Sequence, residues 1–223
     1  TGQFIQASAW PQSVSARFES GIWTEYHIFN SSDRRIKENI VDVPDDLALQ
    51  MVRDIPCRYY EYKDKLNRGI EKTIGFIAQE VNEVLPIAVS IQKDIIPNEM
   101  RMLENISWND TTLFTDLSDC SGIKYRFYVS NDASGNDEIM KEVVGNADNT
   151  FTFDEQWNNV FCYGKEVDDF HTLAKQKLFA LNFSATQEID RKQLADEAKI
   201  AQLENKVTSL ESELAAIKTH LGI

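Results

Sequence analysis

The chain has 223 residues, 42% of them hydrophobic, enough for one large domain or two small ones with a true core. Its 36 acidic and 23 basic side chains leave a net charge of -13, which repels nucleic acid and anionic lipid and argues against DNA binding by this segment. No run reaches the roughly 18 apolar residues that span a bilayer, and TGQFIQASAW has neither a basic start nor an apolar signal core, so neither nucleic acid nor a membrane is expected as a partner.

Cys57, Cys120 and Cys162 are an odd number without the short paired spacings of zinc or redox motifs, and are read as buried thiols in a reducing compartment. The chain opens on Thr1 rather than methionine, which is taken as the mark of a piece of a longer polypeptide.

Residues 1–31 are small, aromatic and β-prone. SVSARFESGIWTEYHIF alternates around Gly21 and predicts short strands, the end of an upstream shaft that needs partner chains to bury Trp10, Phe18, Trp23 and Phe29. At Ser31 the composition changes abruptly. In SSDRRIKENIVDVPDDLALQMVRDI, Ser32 or Asp33 can cap a first helical turn and Asp45 a second helix from Leu47 to Asp54. CRYYEYKD then reads as a strand with Tyr59, Tyr60 and Tyr62. In KTIGFIAQEVNEVLPIAVSI, Gly75 ends a strand, and Ile77, Val81, Val84 and Leu85 share one helical face before Pro86 stops it. Residues 32–91 thus form a small mixed α/β unit.

Residues 92–165 read as a β-rich insertion, with IKYRFYVSND, NTFTFDEQW and NVFCYGKEV separated by Asn, Asp and Gly turns. Asp132 with Asp137, and Asp148 with Asp154, fit no EF-hand spacing, so no metal and no cofactor is expected. From Asp168 the chain reads as helical, within a last segment of 166–223. Ile200, Val207, Leu214 and Leu221 alternate with Leu203, Leu210 and Ile217 in steps of three and four, the stripe of a coiled coil. Ile or Val opposite Leu favours two chains, and Leu214 with Ile217 favours three or four, so the stripe alone leaves the number open. The fold class is α+β: a small mixed domain, a β-rich insertion and a long C-terminal helix.

The constellation that could do chemistry is Ser32 with Lys37. A serine hydroxyl is a weak nucleophile until a neighbouring base accepts its proton, and a lysine can be that base only when neutral, a state that burial or nearby cations such as Arg34 and Arg35 favour. A spacing of five puts the two on opposite faces of a strand and about 140° apart on a helix, so a turn must lie between them. That turn could also be a latch that aligns the pair only on assembly. Backbone N–H groups near Asp33 to Arg35 are candidates for stabilising an oxyanion. His27, His171 and His220 are scattered and suggest no Ser-His-Asp hydrolase.

SDRRIKENI resembles the opening of the intramolecular chaperone domain at the ends of phage tail spikes and fibres, the S74 peptidase family. GFIAQEVNEVLP, from Gly75 to Pro86, resembles its second signature, and VDDFHTLAKQKLFALNFSATQEI with the heptads resembles its closing helices. The resemblance implies a homotrimer with a trimeric coiled coil, whose folding client is the upstream fibre or spike of the same chain. It also implies a setting as a virion fibre or spike precursor assembled in the host cytoplasm.

By the same resemblance, Ser32 and Lys37 cut the chain at Ser31-Ser32, with Asp33, Arg35, Gln79 and Glu80 as supporting residues. The insertion departs from the family pattern. The alternative is a non-cleaving trimeric fibre tip whose insertion binds a host-surface ligand.

Overall fold

A computed structural model describes Glu25, residues 30–132 and residues 134–222. The strands expected in residues 1–31, with Trp10, Phe18, Trp23 and Phe29, lie outside the described residues. The described elements are mixed α+β, and the chain divides into two compact units. No helix among the described residues is long and apolar enough to cross a membrane.

The first unit takes in residues 57–79 and 89–173. Strand β1 (Arg58–Tyr60) pairs antiparallel with β2 (Thr73–Gly75), with the short helix α2 (Lys65–Arg68) between them. Asp64 caps α2, accepting from the Asn67 N–H at 3.1 Å. The larger sheet runs β3 (Val89–Ile95), β10 (Asn159–Leu173), β7 (Lys124–Ser130), β8 (Ile139–Val144), and β4 (Arg101–Met102) also pairs with β10. A three-stranded sheet holds β5 (Ser107–Asn109), β6 (Thr112–Phe114) and β9 (Phe151–Thr152).

Alternation along β7 sends Tyr125, Phe127 and Val129 inward, and along β10 it sends Val160 and Cys162 inward. There they meet Leu113, Phe151 and Phe153. Phe127 is fully buried and meets Phe151 and Phe153 edge-to-face, with ring centroids 4.9 and 5.4 Å apart, the arrangement that aromatic quadrupoles favour.

Two expectations need correction here. The chain is not helical from Asp168: β10 continues to Leu173, and the last helix starts at Lys175. The residues between are held by β3, in a register that pairs Phe170 with Gln92 and Leu173 with Val89. A helical reading of 168–173 weighs only local spacing, whereas this pairing joins segments some 80 residues apart, and the ladder satisfies backbone groups that a helix start would leave open. The β-rich region accordingly closes on itself at Val89 and Leu173 rather than at residues 92 and 165. The thiols are also not all buried: Cys120 and Cys162 are, and Cys57 is exposed.

The second unit takes in residues 31–56, 80–88 and 174–223. Residues 32–91 contribute to both units: their two strands cluster with the β-rich region and most of their helical residues with the C-terminal helix. Helix α1 (Asp45–Asp54) buries Ala48 and Leu49. Helix α4 (Lys175–Leu221) buries Leu181, Ser184, Ala185 and Glu188, and the two helices pack together.

α1 begins at Asp45 rather than Leu47, because Pro44, with φ -63°, is already set for the residue before a helix. Asp45 is then not a cap. Its carboxylate accepts from the Ser184 hydroxyl and pairs with Arg191. Helix α3 (Ala78–Val84) contributes buried Val81, and Ala174 N–H donates to the Ala88 carbonyl at 2.8 Å. At 47 residues, α4 is about 70 Å long.

Candidate active site

Ser32 and Lys37 flank a single 3-10 turn, Arg34–Ile36. Asp33 starts it: in extended backbone, it accepts the Arg35 N–H at 2.8 Å and holds the Arg35 guanidinium through Nε at 3.0 Å and Nη2 at 2.7 Å. The Lys37 N–H closes the turn on the Arg34 carbonyl at 3.1 Å. This fold of the chain brings the two ends of the motif together, and Lys37 Nζ donates to Ser32 Oγ at 2.6 Å. Both side chains are exposed.

The turn required by the five-residue spacing is thus present, and the contact is made within one copy. A latch that first creates the alignment on assembly is not needed for it. Hydrogen bonding to Arg35 holds the Asp33 carboxyl below its ordinary range, and the same contact raises the Arg35 guanidinium. Arg35 is therefore an ion-paired cation on the turn. Its N–H serves the Asp33 cap, so in this conformation it is not an oxyanion donor.

Gln79 and Glu80 sit in the first turn of α3, the former exposed and the latter half-buried, and the Ser32–Lys37 hydrogen bond involves neither. Asp33 caps the turn, one of the two caps expected there, and Arg35 completes it as its ion-pair partner. Their i, i+2 acid-base spacing was the available signal for a cap and ion pair that build the turn.

No group of three or more His, Cys, Asp or Glu suited to a metal occurs among the described residues. Asp132 and Asp137 instead accept hydrogen bonds inside their own turn. Asp137 takes the Asp132 N–H at 3.1 Å, and Asp132 takes the Ser134 N–H at 3.1 Å. Along α4 the seven stripe residues are each between 50 and 63% exposed. Above them an open groove of about 540 Å³ is lined by Phe179, Phe183 and Thr186. Ile36, Ile40, Val41 and Val43, close to the Ser-Lys pair in the chain, are exposed as well.

Residues 32–90 match the family model described as Peptidase_S74, chaperone of endosialidase, a peptidase family. The match begins at Ser32, the residue whose hydroxyl meets Lys37. A viral protein is also similar: "Uncharacterized protein VP1" of Micromonas pusilla reovirus (isolate Netherlands/2005), 28% identical over 233 aligned positions. The alignment covers 81% of this chain, and the chain spans only 12% of that relative's length.

Proposed function

We propose that this chain is the assembly module of a viral fibre or spike precursor. It trimerises through α4, helps an upstream segment of the same polypeptide to fold, and then cuts itself free at Ser31-Ser32. The observation that carries the reading is the 2.6 Å hydrogen bond between Lys37 Nζ and Ser32 Oγ at the first residue of the family match.

The reaction follows from the atoms present. With Lys37 neutral, its amine takes the Ser32 hydroxyl proton as Oγ attacks the Ser31 carbonyl carbon. The Ser31 C–N bond breaks, the proton passes to the departing Ser32 amine, and Ser31 is left as an ester on Oγ. Water then hydrolyses that ester, giving a Ser31 carboxylate and restoring the Ser32 hydroxyl at a new N-terminus. Ser-Lys pairs are an established variant of the triad logic.

The assembly half rests on the unpartnered stripe of α4. Trimeric shafts depend on contacts between chains and nucleate slowly, so a separate element that sets the register first lowers the barrier. Its later removal leaves the shaft kinetically trapped.

Intact mass after assembly is the test, on the wild type and on Ser32→Ala, Lys37→Met and Lys37→Arg. The wild type should split into residues 1–31 and 32–223 while the three variants stay whole, Lys37→Arg because a guanidinium keeps its proton. If the wild type also stays whole while forming trimers, the protease is refuted, and the non-cleaving tip becomes the better reading.

A further inference from the structure

The flanks of the α4 stripe carry an ordered charge pattern. With Ile200 counted as position a and Leu203 as d, the g flank reads Lys192, Lys199, Lys206 and then Glu213. The e flank reads Glu197, Glu204, Glu211 and then Lys218. The sign reverses on both flanks in the same heptad. All eight residues are helical and exposed, so their charged ends stand beside the apolar stripe.

In a parallel coil with the chains in register, each g residue lies beside the next e residue of the neighbouring copy. The pairs are then Lys192 with Glu197, Lys199 with Glu204, Lys206 with Glu211 and Glu213 with Lys218. Every pair is opposite in sign, including the one past the reversal. A slip of one heptad in one direction puts Lys206 beside Lys218 of the neighbour, and in the other direction Glu213 beside Glu211. An antiparallel arrangement sets g against g and e against e, mostly like against like.

Lys192 already holds Glu188 of its own helix at 3.3 Å, and Ser209 donates to Glu213 at 3.3 Å. In either slip the like-charge contact comes from a residue of the reversed pair, so Glu213 and Lys218 carry the discrimination of register.

We infer that α4 docks against further copies of this chain in parallel and in register, and that the reversal at Glu213 and Lys218 is the lock that fixes the register. This deepens the proposed function and rests on its assembly step. The occupant of the stripe is a second copy rather than a foreign helix, because the two flanks of one sequence complement each other at every step. For a module that sets register for an upstream fibre, a slip of one heptad would misplace each shaft strand by about 10 Å, and the lock is placed to oppose it.

The test is sedimentation equilibrium of the full chain at low salt, with Glu213→Lys, Lys218→Glu, the double variant and an equimolar mixture of the two single variants. Each single change sets like charges together in every copy and should weaken association roughly tenfold. The double variant restores an opposite pair, and the mixture restores it between chains, so both should return toward wild type. High salt should erase the differences. If the wild type assembles and the single variants match it, or the double variant fails to recover, the register lock is refuted while assembly stands. If the wild type is monomeric throughout the concentration range, the assembly reading itself falls.

Discussion

Gly164 lies on β10 at a bulge where the chain from Ile96 to Met100 crosses close over the strand. Its φ is +154°, and a Cβ built there would stand 1.9 Å from the Ile96 carbonyl oxygen and 2.8 Å from the Asn98 nitrogen. An alanine at 164 must push that crossing segment away. Among the hydrogen bonds that tie it down, three are the shortest: Ile96 N–H to the Lys165 carbonyl at 2.9 Å, Lys165 N–H to Asn98 Oδ1 at 2.9 Å, and Met100 N–H to the Tyr163 carbonyl at 3.2 Å. At about 1 kcal/mol each their loss is about 3 kcal/mol. Backbone strain adds about 1–2 kcal/mol.

Gly69 supplies the control, since it too has a positive φ, +81°, but nothing lies within 4 Å of a Cβ there. Gly69→Ala should cost only the strain. Urea unfolding followed by tryptophan fluorescence separates the two. With a slope of about 2 kcal/mol per molar, the Gly164→Ala midpoint should fall by about 2 M and the Gly69→Ala midpoint by less than about 1 M. Equal losses would refute the claim that close approach, rather than backbone conformation, demands glycine at 164.

Phe127→Ala should cost about 3–5 kcal/mol in the same assay, because a fully buried ring with two edge-to-face partners leaves a cavity that the sheets cannot close. Thiol titration should find one fast group, Cys57, and two that react only on unfolding; burial raises the Cys120 thiol and pushes that of Cys162 up to about 12. Burial pulls the Asp64 carboxyl upward, but hydrogen bonds from Asn67 and Tyr163 and the Arg68 charge carry it below its ordinary value. Its contribution is therefore present above the usual carboxylate range and lost as pH falls below it, so Asp64→Asn should flatten the acid limb of stability measured by urea midpoints from pH 5 to about 2. Leu210→Asp should abolish concentration-dependent association in sedimentation experiments while leaving the far-UV spectrum of the β-rich unit in place.

What could be read from residues alone was whatever depends on near neighbours. The heptads of α4 repeat without interruption, and the Ser32–Lys37 spacing demanded a turn that Asp33 supplies by an ordinary capping bond. The strands around Tyr125–Val129 and Val160–Cys162 were legible from the Asn, Asp and Gly turns that bound them. Non-local pairing was less legible. The strand at 168–173 exists because β3 runs beside it, and nothing within VDDFHTL states that partner. The same holds for Asp64, which takes a hydrogen bond from Tyr163 at 3.2 Å across 99 residues, and for the exposure of Cys57. The separation of the helical residues of 32–91 from its strand pair likewise follows from tertiary neighbours rather than from composition.

The Ser-Lys contact bears on what controls the proposed cleavage. The 2.6 Å hydrogen bond is complete in one copy, so alignment of the two side chains cannot be the step that assembly supplies. What assembly can still change is the exposure of the pair, since both residues are open to water in one copy. Ile36 on the turn itself, and Ile40, Val41 and Val43 beyond it, offer an exposed apolar surface close in the chain to the dyad.

A neighbouring copy laid over this surface would shield the pair from water. Ile40→Asp and Val41→Asp should then slow the proposed self-cleavage by at least tenfold while leaving trimer formation through α4 intact. Cleavage timed by mass spectrometry, alongside sedimentation of the same samples, distinguishes the cases. Rates equal to wild type in both variants would mean that the apolar surface does not govern the Ser-Lys pair.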